Sequence, residues 1–186
     1  DMEILRKSPV PVWLKTEKTL KSGIKKVAVA IDPESDEEPA IELSIKMLKM
    51  AEAISKSYNA ELNVVSCWQY VFENTLRYSS FVRLADDELK ELVESRKNFH
   101  RKALDKIIQD SGININYQLT HEKASAENFI PEFVKSNSID MLVMGTVART
   151  GIPGFVIGNT AENILQQINC SLLALKPDGF ISPVHA

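Results

Sequence analysis

Two periods alternate along the chain. Residues 25 to 31, KKVAVAI, form a near-continuous apolar run that stops at Asp32-Pro33, the pattern of a strand buried on both faces. From about Glu37 to Tyr58 the apolar positions Ile41, Ile45, Leu48, Ala51 and Ile54 recur at helical spacing, with acidic residues in the first turn where the helix dipole favours them. Residues 61 to 67, ELNVVSC, read as a second strand, and residues 68 to 84 as an irregular segment rich in aromatics. A long helix is predicted over 86 to 110, with Leu89, Val93, Ala103, Leu104, Ile107 and Ile108 inward and Gly112 as its stop. Residues 113 to 119, ININYQL, alternate as a third strand. Ser125 opens a helix to about Ser136 despite Pro131 in its interior; residues 139 to 144 form a fourth strand. A last helix runs from about Thr160 to Gln167, a fifth strand covers 170 to 175, CSLLAL, and Pro177 begins the tail.

Strands alternating with helices in this way predict an α/β domain. The expected core is a five-stranded parallel, doubly wound, Rossmann-like sheet of order 3-2-1-4-5. Ligands of such sheets sit outside the carboxyl ends of the strands, where the winding reverses. Here that point falls between the first and fourth strands, which end at Asp32 and Gly145.

The stretch MGTVARTGIPGFVIGNTAENIL, residues 144 to 165, adds chemistry at the same place. A strand that leads through a loop of small residues to a helix N-terminus presents N–H donors and a positive dipole end to an anion. Gly145 serves either a tight turn or a close approach to a ligand. Asn159, with Glu162 three residues on, either caps the helix or, with Thr160, donates to phosphate. Arg149 is a solvated loop residue or a phosphate contact. Asp32 either caps the turn at Pro33 or orients a ribose hydroxyl or a Mg²⁺-bound water.

Residues 3 to 15 look orphaned until set beside residues 163 to 175. Ile4 falls on Ile164, Leu5 on Leu165, Val10 on Cys170 and Val12 on Leu172, a constant offset of 160. Both segments read as a helix end, a turn and a short strand. The expectation is that residues 1–22 comprise the last strand of a preceding repeat plus a polar linker (16 to 23, TEKTLKSG), and that residues 23–186 form the domain proper. The fifth strand would be a sheet edge needing cover, from a second copy or from residues 10 to 14.

Composition narrows the function. A net charge of −3 offers no basic field for nucleic acid, and no apolar run approaches the ~20 residues of a membrane span. Cys67 and Cys170, the two cysteines, read as buried thiols of a cytoplasmic protein, and the three histidines, His100, His121 and His185, as forming no cluster. Neither a P-loop nor a G-x-G-x-x-G follows the first strand.

At this point the residues resemble the universal stress protein family. Its glycine pattern is glycine, two residues, glycine, nine residues, glycine, then serine or threonine. Gly145 and Gly158 take the first and third glycine places, while Ala148 stands for the second glycine and Asn159 for the hydroxyl residue. The similarity covers roughly residues 24 to 176, and ARTGIPGF followed by GNTAE is most similar to the tandem-domain branch. The resemblance implies an adenine nucleotide site, ATP with or without Mg²⁺. Ile31 and Asp32 would lie near ribose and adenine, Cys67 and Met144 would frame adenine, Gly145, Val147 and Ala148 would wrap ribose and α-phosphate, and Gly158, Asn159 and Thr160 would meet the outer phosphates. Three functions follow: a nucleotide-binding stress module, a scaffold for dimerisation or partner binding without nucleotide, and a slow ATPase.

Overall fold

The computed structural model describes residues 2–35, 37–78, 85–146 and 157–180. Among them six strands, β1 (Val12–Leu14), β2 (Lys26–Ala30), β3 (Glu61–Trp68), β4 (Tyr117–Lys123), β5 (Met141–Gly145) and β6 (Ser171–Leu175), form one sheet in the order β1-β6-β5-β2-β3-β4. The helices are α1 (Met2–Lys7), α2 (Glu17–Ser22), α3 (Glu38–Tyr58), α4 (Glu73–Tyr78), α5 (Asp86–Ser111), α6 (Ala126–Ser136) and α7 (Asn159–Gln167). There are six strands rather than the expected five, so the order differs from 3-2-1-4-5 by lengthening to 1-6-5-2-3-4; the five expected strands keep their relative places as β4-β3-β2-β5-β6. The added strand is β1, which lies antiparallel on β6 with Val12 opposite Ala174, Trp13 opposite Leu173 and Leu14 opposite Leu172. The other pairings are parallel.

The two-residue period of a strand sends neighbours to opposite faces and so divides the core in two. Met141 and Val143 of β5, with Leu173 and Leu175 of β6, join Leu48, Ala51 and Ile54 of α3 and Leu104 and Ile107 of α5. Leu142 and Met144, with Leu172 and Ala174, join Ile130, Phe133 and Val134 of α6, Ala161 and Ile164 of α7 and Leu5 of α1. Helices therefore cover both faces, which is why these strands are apolar throughout.

Several boundaries differ from expectation. The polar segment after residue 15 is the helix α2, whose N-cap Thr16 accepts from the Thr19 N–H. The irregular aromatic segment contains α4, and the third strand starts at Tyr117 rather than at residue 113. Pro131 does sit inside α6. Proline has no N–H to give the carbonyl four residues back. That carbonyl, Glu127 O, instead accepts from Gln167 Nε2 at 3.4 Å, so the defect in α6 becomes a tie to α7. α1 is held in a similar way, because the buried Lys176 Nζ donates to the carbonyls of Arg6 and Ser8 at its end.

At the amino end of the sheet, Asp140 aligns β2 with β5. Its Oδ2 accepts the N–H groups of Lys25 and Lys26 at 2.9 and 3.1 Å, its Oδ1 accepts from Lys18 Nζ at 2.9 Å, and its own N–H donates to Lys26 O at 3.0 Å. Burial pushes the Asp140 carboxyl up, but the Lys18 ammonium and the two backbone donors outweigh it and leave it below its ordinary value. A depressed carboxylate stabilises the fold above its unfolded value of about 4, and that contribution fades as pH falls through the folded value. Asp140→Asn, which must leave either Lys18 or a backbone N–H without its acceptor, is expected to cost about 1–3 kcal/mol at neutral pH. Urea unfolding should show the gap to wild type full above about pH 5 and closing below about pH 4.

Candidate functional site

β2 and β5 run side by side, with Val29 opposite Val143. From this pair the sheet grows outward in two directions, to β3 and β4 on one side and to β6 on the other. The carboxyl tips of β2 and β5 are therefore neighbours at the reversal of winding, the place where an open α/β sheet leaves a crevice.

Each tip is anchored. The Ile31 N–H donates to Val65 O at 2.9 Å and Ile31 O accepts from Ser66 Oγ at 2.7 Å, which locks the end of β2 to β3. Asp32 is exposed, and its Oδ1 accepts the Glu34 N–H at 3.2 Å, so the turn-capping role is realised. Met144 is buried and faces the α6–α7 side of the core. Gly145 is the last residue of β5, opposite Leu175. A Cβ there would stand 3.1 Å from Leu43 Cδ2 of α3, tight enough that the Leu43 side chain would have to shift to admit one. Its backbone is not among the glycines of positive φ.

The residue after it, Thr146, is fully buried. Its N–H and hydroxyl both donate to Leu175 O, at 3.1 and 3.4 Å, and its carbonyl accepts the Gly158 N–H at 2.9 Å. This last bond closes the glycine-rich loop at its base, bringing Gly145 and Gly158 to the same spot. Val147 and Ala148, together with Arg149, lie outside the described residues. Thr146 was passed over in the sequence, where a hydroxyl residue directly behind a strand-ending glycine is its only sign.

Gly158, not Asn159, is the N-cap of α7; Asn159 and Thr160 form the exposed first turn. The capping role for Asn159 is thereby corrected. A glycine cap has no side chain to spend on the helix donors, so the cap residue itself answers none of the first-turn N–H groups. The carboxylate of Glu162, in the same turn, is ion-paired with Arg6 of α1, which offsets its charge.

Cys67, at the end of β3, is half-buried, and burial followed by the nearby Glu122 charge pushes its thiol up to about 11. A thiol so high is protonated at neutral pH and packs as a small apolar group. Of the aromatics after it, Trp68 is buried, while Phe72 and Tyr78 are exposed. Two of the histidines, expected to form no metal cluster, do touch: His100 Nδ1 on α5 lies 2.9 Å from His121 Nε2 on β4, and among the described residues no third ligand joins them. His185 lies outside the described residues. The sign of this pair was in the sequence, because His100 falls on the inward stripe of α5 one turn before Leu104.

A model of the universal stress protein family matches residues 23–176. The chain belongs to the universal stress protein family. Universal stress protein E of Escherichia coli (strain K12) is 31% identical over 187 residues, covering 100% of this chain and 57% of the relative's length. A crystal structure of a universal stress protein from Pseudomonas aeruginosa UCBPP-PA14, 27% identical, superposes with a TM-score of 0.71 over 96% of this chain and 56% of that one. A universal stress protein from Lactobacillus plantarum shares the fold at 16% identity, with a TM-score of 0.58 and 97% of its own length covered. The chain thus spans a little over half of the longer relatives and nearly all of the shorter one. The family is one of the stress response, and no described helix is long and apolar enough to cross a membrane.

Within the family's glycine pattern, the packing role of Gly145 can be separated from any ligand role. Gly145→Ala is expected to lower stability by about 1 kcal/mol through overpacking against Leu43. A double-mutant cycle by chemical denaturation should show that cost largely absent in a Leu43→Ala background.

Proposed function

We propose that this domain binds ATP or a related adenine nucleotide where the tips of β2 and β5 meet the start of α7, and that the bound state serves regulation in the stress response. The observation that carries the reading is the first turn of α7. It opens on a glycine without a capping side chain, beside two adjacent strand tips, with the one acid in that turn engaged by Arg6. By the family pattern, Gly158, Asn159 and Thr160 would meet outer phosphates, Gly145, Val147 and Ala148 the ribose and inner phosphate, and Ile31, Asp32, Cys67 and Met144 the nucleoside. Mg²⁺ would accompany the phosphates, and the protein would act in the cytoplasm.

Calorimetric titration is expected to give an ATP dissociation constant tighter than ~1 mM. Thr160→Glu puts a carboxylate where a helix start favours one, so folding is retained while the phosphates are repelled. At least tenfold weaker binding is the expected result. Wild-type affinity weaker than ~1 mM would hand the domain to the alternative of a nucleotide-free scaffold.

A second reading concerns association, and the register of β1 on β6 favours it. The offset of 160 makes Val12, Trp13 and Leu14 the counterparts of Leu172, Leu173 and Ala174. The pairs are Val12 with Ala174, Trp13 with its own counterpart Leu173, and Leu14 with Leu172. Two equivalent strands related by a twofold axis through the Trp13–Leu173 pair would have this register. We read residues 1–22 as the end of a preceding repeat and its link, with β1 and β6 forming the junction between tandem copies. A chain lacking residues 1–15 would bare the β6 edge and is expected to dimerise through it. Sedimentation equilibrium that finds a monomer at micromolar concentration would count against this reading.

A further inference from the structure

A buried polar relay connects α5 to the turn that carries Asp32. His100 is fully buried on α5. Its Nδ1 meets His121 Nε2 at 2.9 Å, while its Nε2 has no hydrogen-bond partner and lies 3.7 Å from Glu34 Oε1. Glu34 is ion-paired with Arg96 of α5, whose Nε donates to Gln69 O at 3.4 Å, and the Glu34 N–H donates to Asp32 Oδ1. The rings of Trp68, His121 and His100 stack in series with centroids 6.0 and 5.0 Å apart, which fixes both imidazole planes.

A buried ring nitrogen that faces a carboxylate is stable as a donor and repelled as a bare lone pair. An Nε2–H tautomer of His100 turns its donor toward Glu34 and leaves Nδ1 to accept from His121 Nε2–H, with the Cys67 carbonyl as a second acceptor beside the ring. In that tautomer both donors run the same way, from the half-exposed His121 inward toward Glu34. We propose that His100 is a positioning residue for the crevice, coupling the protonation of His121 to the placement of Glu34 and of the Asp32 turn. The structural half of this proposal is independent of any nucleotide; its consequence for binding rests on the crevice reading above.

The surroundings set the order of titration. His100 faces His121 from β4, Glu34 from the turn after β2, the Cys67 carbonyl from β3 and Arg96 from its own helix. Burial, then the charges of His121 and Arg96, hold it down to about 4 against the pull of the Cys67 carbonyl. His121 is lowered first by burial, then by Arg101 and Lys97, against Asp105 and Glu122. The proton thus enters at His121, which stays a donor through Nε2 and becomes a stronger one. His100 is polarised in turn, and its hold on Glu34 tightens as pH falls.

Nitrogen NMR on the ligand-free protein between about pH 8 and pH 5 tests the relay. The expected results are an Nε2–H signature for His100, and amide shifts of Asp32 and Glu34 that share the midpoint of His121, below the ordinary histidine value of about 6.5. In His121→Gln, at a half-exposed site where folding is retained, those amides should no longer titrate; His100→Gln should silence them as well. An Nδ1–H tautomer for His100, amides that do not titrate in wild type, or amides that titrate unchanged in His121→Gln would each overturn the proposal. For binding, His100→Gln should weaken ATP about fivefold at neutral pH. Equal affinity in a folded His100→Gln variant would remove the positioning role. Absence of ATP binding in wild type would instead refute the crevice reading, and the amide titration would still decide the relay.

Discussion

The Asp140 carboxylate ties the start of β2 to the start of β5, and both wings of the sheet hang from that pair. Two backbone N–H groups at the head of one strand would otherwise be half-buried without acceptors. A side chain from the neighbouring strand answers both, and Lys18 from α2 balances the charge. Because parallel strands keep their register along their length, an alignment made at the amino ends is transmitted to the carboxyl ends. The carboxyl tips of β2 and β5 and the bond between Thr146 and Gly158 lie at the far end of the strands from the clamp that aligns them. Stability and site geometry are thus set by the same bonds while their residues stay apart.

The two family glycines present in the described residues serve different physical ends. At Gly145 α3 passes close by, with Leu43 and Met47 in contact range of a Cβ that is not there. Gly158 is the helix cap that brings no side chain of its own and uses its N–H to shut the loop. A shared motif therefore mixes a packing constraint with an electrostatic one. Substitutions at the two positions are not equivalent statements about ligand binding.

Much of the architecture could be read from periodicity, and the failures have particular causes. The apolar runs of β2, β3, β5 and β6 and the stripes of α3 and α5 follow from burial on two faces, which leaves a strong signal. The start of β4 was misplaced because Ile113 and Ile115 alternate and do pack against the core, yet they precede the paired residues. α2 and α4 are short and polar, so nothing in their spacing marks them. Asp32, Gly145 and Gly158 were visible as strand and helix ends. Thr146 and His100 leave only a faint sign each, by their positions, because what each does depends on a partner far along the chain.

The two borders of the sheet are unlike. On one side the border is the three-residue β1, laid antiparallel on β6. Beyond β4 the outermost strand is Tyr117–Lys123, YQLTHEK, half-exposed and carrying charge at its end. Charged, hydrated outer strands discourage further addition. Growth by strand addition is thus discouraged at the β4 flank, so on that side the sheet ends in water rather than in another sheet.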